Sequence, residues 1–273
     1  MIYTIPQWIL LFYIYCFFGW CFESVYVSIC LKKWVNRGFL RAPMLPIYGS
    51  GALCILIVCL PVKNNPIAVF ILGIIFPTIL EYVTGWAMER MFKMKYWDYS
   101  DKKYNLNGYI CLTSSLAWGA LSLIMVNFIH PPIGRLVEHI PTLILWILVV
   151  VISCVFVSDC IVSFRAAFDL SRVLQEMERV RTQIEETRVQ LELARAEARD
   201  FIEDISQDIR EENQRRQREM EVRMKELRSD FRTRMEKQNK FLVRAMLKAH
   251  PSATSRRFAG SLKQLRETLS KKK

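Results

Sequence analysis

Five apolar stretches constrain this chain more than any other feature. Residues 7–31, 45–62, 66–90, 109–129 and 141–165 each approach or exceed the roughly 20 residues of helix that cross a bilayer. In lipid, every backbone N–H and C=O needs a partner within the protein, and a helix supplies these partners within one segment. The expectation is an all-α, polytopic membrane helix bundle over residues 1–165, with about five transmembrane helices. The first stretch reads as a permanent span. It lacks a basic leader region and a small-x-small cleavage site, and it is too long for a signal peptide.

The rest of the chain is built differently. Residues 1–165 carry 12 Lys/Arg and 7 Asp/Glu, against 26 and 19 in residues 166–273. Residues 166–248 contain no Gly or Pro. Val173, Met177, Val180, Ile184, Thr187, Leu191, Ala194, Ala198, Phe201 and Ile205 recur at alternating spacings of 4 and 3, the seam of a left-handed coiled coil. Ile209, Met220, Phe231 and Leu242 then follow 11 apart, a period that relaxes or reverses the supercoil. The stretch 210–219 has no apolar seam. As one straight helix, 166–248 would reach roughly 120 Å. The expectation is a long coiled-coil helix that pairs through 173–242 with another copy or a partner helix. A basic flexible tail over 249–273 would follow.

Loop charge sets the expected orientation. Lys32, Lys33, Arg37 and Arg41 follow the first span, and Arg90, Lys93, Lys95, Lys102 and Lys103 follow the third. The two loops of opposite side hold only Lys63 and Arg135. Basic loops stay cytoplasmic, so the reading is a multi-pass protein of the cell membrane. Its N-terminus is outside and its coiled coil cytoplasmic.

Several function classes find no support in the residues. The eight cysteines lie in apolar stretches without a CxxC, and the three histidines have no zinc-like spacing or nucleophile partner. No GxxxxGK[ST] loop is present. The expectations are no metal site, no cofactor, no catalytic residues and no enzymatic activity. The basic tail is the one stretch that suits anionic lipid or nucleic acid, and no specific nucleic-acid partner is expected.

Acids inside the apolar stretches carry the functional reading. Glu23, Glu81 and Asp159 fall within them, and Glu89 lies at a cytoplasmic edge. Intramembrane acids face a bundle interior or cavity and need partners. Arg37, Arg41, Arg90 and Arg165 are the nearest cations in sequence. One reading is a polar pocket opening to the cytoplasm, lined by these four acids with Arg37 and Arg41 and by Thr113, Ser114 and Ser115; the other is a set of buried ion pairs that lock the helices.

One of these acids belongs to a repeat. Gly19-Trp20-Cys21-Phe22-Glu23 is matched by Gly85-Trp86-Ala87-Met88-Glu89. Trp34 and Gly51-Ala52-Leu53 follow the first; Trp97 and Gly119-Ala120-Leu121 follow the second. The glycine-to-glycine distances are 32 and 34 residues. Spans one–two and three–four therefore read as a parallel hairpin repeat, an arrangement known in transporters. Between spans one and two, residues 36–51 hold two arginines, two prolines and three glycines, which suits a discontinuous or re-entrant segment. In the second unit, Asn107-Gly108 suits a turn before span four.

Taken in order, Gly19-Trp20, Glu23, Asn36-Arg37-Gly38-Phe39-Leu40, Pro43, Pro46-Ile47-Tyr48-Gly49, Trp97-Asp98-Tyr99-Ser100, Asn105 to Leu112 and Trp118-Gly119 resemble a bacterial family. Its members carry the name "putative type IV ABC-transporter permease". The resemblance covers about residues 8–165, leaving the charged helix outside. Lys102-Lys103-Tyr104 and Ala42 depart from the pattern, which has Pro-Phe and Gly there. The resemblance implies a transport component working with a separate ATP-binding subunit. An alternative of another class is a membrane-anchored scaffold that oligomerises or recruits partners through its coiled coil.

Overall fold

The computed structural model describes residues 3–200, 246–255 and 257–271, with short helical stretches between 214 and 229. The chain divides into two compact units, Met1–Phe168 with Ala245–Arg256, and Asp169–Arg244 with Arg257–Lys273.

The first unit is helical. α1 (Ile5–Leu31), α2 (Pro46–Cys59, with a 3-10 turn to Val62) and α3 (Pro66–Phe92) are followed by a two-stranded ribbon. Its strands β1 (Asn105–Leu106) and β2 (Ile110–Cys111) pair antiparallel, Leu106 opposite Ile110. α4 (Leu112–Ile124), a π turn (Met125–Ile129) and α5 (His130–Glu138) form one continuous run, and α6 starts at Thr142 and continues to Asp200. Proline opens α2 and α3 near the first helical position, where its missing N–H costs nothing. α1 packs on α2, α2 on α3 and α3 on α4.

Four helical runs are long and apolar enough to cross a membrane: Ile5–Leu31, Pro66–Phe92, Leu112–Glu138 and the run from Thr142. The other apolar stretch, Pro46–Val62, forms a shorter helix, about 25 Å against a hydrocarbon core of about 30 Å. The reason lies in the segment before it. Leu45 N–H donates to Cys16 O at 2.9 Å, so α2 begins beside the middle of α1. Residues 32–45 therefore turn back from Leu31 by about 22 Å along α1. The prolines and glycines expected to interrupt a helix around 36–51 fall in this returning stretch and at the start of α2.

Two glycines permit this approach. A Cβ on Gly19 would meet the Tyr48 ring, and one on Gly49 would meet Cys16 Sγ and Phe12 O. Toward the other end of α1, Leu10, Leu11, Ile55, Leu56, Val69, Val126, Val137 and Val149 form the buried apolar core. His130 sits beside it, 3.0 Å from Tyr3 Oη and 2.8 Å from Tyr15 Oη.

In the second unit, the seam residues Val173, Met177, Val180, Thr187 and Leu191 are buried within the chain itself. α7 (Ala259–Lys271) lies in the same unit, with Leu262 and Leu265 buried and Ser261 Oγ donating to Glu178 Oε2 at 2.6 Å. Arg195 Nη2 pairs with Glu221 Oε1 at 3.0 Å, whereas 26 residues of continuous helix would hold them about 39 Å apart. The seam positions Phe201, Ile205, Ile209, Phe231 and Leu242 lie outside the described residues. The tail read as flexible over 249–273 is folded where it is described. Leu262 and Leu265 give α7 an apolar stripe that Phe258 extends just before the helix, and His250, Ala253 and Ser255 are buried in the first unit.

Alanine at Gly19 or Gly49 should lower the stability of the purified full chain by about 1–3 kcal/mol, as overpacking does. Gly38→Ala, whose Cβ meets nothing nearer than 3.5 Å, should stay within about 0.5 kcal/mol. Thermal unfolding in detergent compares the three.

Candidate functional site

α1 presents Trp20, Ser24 and Ser28 at a spacing of four, on one helical face. This face receives the loop that follows. Ser28 Oγ accepts from Val35 N–H at 3.0 Å and Ser24 Oγ from Arg37 N–H at 3.1 Å. Trp20 Nε1–H donates to Asn36 Oδ1 at 2.6 Å, and Asn36 Nδ2 donates to Arg41 O at 3.4 Å. From α6, Asp159 Oδ2 accepts from Ala42 N–H at 2.7 Å. Each bond pairs a loop group that lipid could not satisfy.

These contacts bring Arg37 to Glu23. Arg37 Nε donates to Glu23 Oε1 at 3.3 Å, and Tyr48 Oη–H donates to Oε2 at 2.7 Å. Glu81, on α3, is more deeply buried, with 7% of its surface exposed. It accepts from Tyr99 Oη–H at 3.3 Å and Trp118 Nε1–H at 3.1 Å, and Ser114 also reaches it. Among the described residues no Lys or Arg pairs with Glu81. The Tyr48 and Trp118 rings lie 6.0 Å apart, linking the two carboxylates, which are close enough to feel each other's charge.

The repeat has a structural meaning. Tyr48 rests on Gly19 and bonds Glu23. Tyr109 lies against Gly85 and its hydroxyl donates to Glu89 Oε2 at 2.6 Å. In both units a Gly and a Glu one turn apart form a seat for one tyrosine, the bare glycine under the ring and the carboxylate at the hydroxyl. Both helices also end on a left-handed lysine, Lys32 at φ 50° and Lys93 at φ 57°.

The remaining motif residues hold the loops. Pro46 opens α2, and Pro43 lies exposed in the re-entrant segment. Arg41 is exposed, and its backbone carbonyl accepts from Asn36 Nδ2. Trp97 Nε1–H donates to Tyr109 O at 2.9 Å. Asn107 and Gly108 take φ of 55° and 74° in the ribbon turn, as the dipeptide suggests. Asn107 O accepts from Lys95 Nζ at 2.6 Å, and its Nδ2 donates to Tyr82 Oη at 3.0 Å. Burial works to raise the Asp98 pKa, but bonds from Ser100 and Thr254, with Lys95 nearby, hold it below the usual carboxylate range.

The family whose model is described as "Putative ABC-transporter type IV" matches residues 10–164. The chain belongs to that family. No curated protein matches it, and no solved structure matches it. Its ABC-transporter-type family and its apolar helices make it a transporter-related membrane protein. The family match contains Glu23, Arg37, Tyr48, Glu81, Tyr99, Glu89, Tyr109, Trp118 and Asp159. It excludes His250 and its neighbours, which nevertheless pack on matched residues. His250 Nε2–H donates to Gly38 O at 3.1 Å.

Sequence reasoning missed Tyr99, Tyr109 and Trp118 as partners of the acids, although all three lie in the family motifs. It also missed Ser24 and Ser28, whose spacing of four after Trp20 was the available signal, and it gave no role to His250.

His250 gives a pH prediction. Burial lowers its pKa, Arg37 lowers it further, and the Gly38 carbonyl raises it, leaving it at about 3. An undocked ring would titrate at about 6.5. The released segment therefore takes up a proton first as pH falls, and docking weakens from about 6.5 downward. Amide exchange of residues 246–255 should rise between pH 7 and pH 5 beyond the intrinsic pH effect. His250→Gln should remove that excess.

Proposed function

We propose that the chain is the permease-type subunit of a transporter whose ATP-hydrolysing subunit is a separate protein. The observation that carries this reading is the meeting of Glu23 and Glu81. They come from α1 and α3, the leading helices of the two repeated pairs, and they converge through Tyr48 and Trp118. Glu81 has only neutral donors around it among the described residues. A carboxylate held that way in a membrane helix is costly unless it works on a cation, a proton or a polar cargo. Family membership supports the same direction. On this reading the chain binds and moves a solute and catalyses no covalent step. Its charged end lies in the cytoplasm, as the basic loops suggest.

The scaffold reading has less support. The residues that would pair with another helix, Val173, Met177, Val180 and Leu191, are already buried in the chain.

Affinity capture of the full chain from its native membranes should bring down an ATP-binding cassette protein in stoichiometric amount. ATP hydrolysis by that complex in lipid should fall at least roughly tenfold in Glu23→Gln and in Glu81→Gln, the scale of one lost charged hydrogen bond. Membrane levels should not change. Capture without any ATP-binding protein, or full hydrolysis in both variants, would contradict the proposal.

A further inference from the structure

We infer that residues 246–255 are an intramolecular strap that ties the loops of the two helix pairs together and, through Arg37, secures the Glu23 ion pair, so that releasing the strap loosens the acidic cluster. This inference does not rest on the transport reading.

The strap grips both loops. On the first, His250 Nε2–H donates to Gly38 O at 3.1 Å, and Arg37 Nη1 donates to Ala249 O at 2.9 Å. On the second, Thr254 and Lys95 exchange both backbone bonds, at 2.9 and 2.8 Å, forming an isolated antiparallel bridge. Thr254 Oγ1–H donates to Asp98 Oδ2 at 2.7 Å, and Ser255 Oγ–H donates to Lys93 O at 2.7 Å. Tyr96 stands between the two anchor points. Its ring meets His250 edge-on at 4.8 Å, and its hydroxyl reaches Met246 Sδ at 3.7 Å. Ala253 is fully buried. One main-chain bridge and these side-chain bonds, with small buried residues between them, hold the strap on both loops.

Arg37 transmits the grip. Its guanidinium is a rigid planar fork, so its donors cannot be aimed independently. One arm holds Glu23 on α1 and the other holds the strap. Loss of the Ala249 carbonyl removes one of the two acceptors that define the fork's orientation. The Arg37 N–H is bound to Ser24, so the same movement is felt along the re-entrant segment. Residues on both sides of it, 169–244 and 257–273, belong to the other unit.

The test is hydrogen–deuterium exchange with mass spectrometry on the full chain in lipid nanodiscs. Three proteins are compared: wild type, His250→Ala with Thr254→Pro, and the milder Thr254→Val with Ser255→Ala, which leaves the backbone intact. Exchange should rise at 246–255 and 93–98 in both variants. It should rise also at 35–45, at least roughly tenfold in the stronger variant, with α1 and α3 amides unchanged. Coupling is reciprocal, so Glu23→Gln should raise exchange at 246–255. If the stronger variant does not insert, the milder one and Glu23→Gln decide the matter. Faster exchange confined to 246–255, with 35–45 unchanged and no response to Glu23→Gln, would overturn the inference.

Discussion

The pairing of Glu23 with Arg37 organises the first unit. A carboxylate inside an apolar helix costs roughly 2.5–3.5 kcal/mol on insertion scales unless it finds a partner. Its partner comes from the loop after α1, so that loop must descend beside the helix. A descending loop brings backbone groups that lipid cannot satisfy. Ser24, Ser28, Asp159 and the Cys16 carbonyl satisfy them. Because the descent consumes length, α2 starts at the level of Cys16 and is short. Gly19 and Gly49 are then required, since any side chain there would collide with Tyr48 or with α1. One half-buried charge thus accounts for the loop path, the short helix and two glycines.

The second pair solves a related problem differently. Its loop carries a ribbon that turns on Asn107 and Gly108, and Lys95 ties the ribbon to the loop's start. The tyrosine seat is retained, with Tyr109 on Gly85 and Glu89. Among the described residues no arginine reaches Glu89 as Arg37 reaches Glu23. The unpaired acid of this half is Glu81, two turns earlier, nearer the cluster's centre. The halves share a device for docking the returning chain and differ in where the charge is left uncompensated.

Much of this was legible from residue type and spacing. Apolar length marked α1, α3 and α6, and the recurrence of Gly-Trp-x-x-Glu marked two equivalent helices. Prolines and glycines between Asn36 and Gly51 pointed to a re-entrant segment. Hydropathy measures apolar length and is blind to where a helix begins, which for α2 a hydrogen bond to Cys16 decides. What covers the seam of the charged helix was not legible for another reason. The heptad seam of Val173 to Leu191 names a surface that must be covered, without saying whether another molecule or the chain itself covers it. The docking of His250 on Gly38 joins residues 212 apart, and no local pattern encodes such a contact.

A double-mutant cycle on Glu23 and Arg37 tests the central claim most directly. The stability of the full chain in lipid would be measured for Glu23→Gln, Arg37→Gln and the pair. If the ion pair organises the loop, each single variant leaves a buried charge without its partner. The double variant should then be less destabilised than the sum of the singles, by about 1–3 kcal/mol. Additive effects within about 0.5 kcal/mol would show two independent residues and would contradict the account.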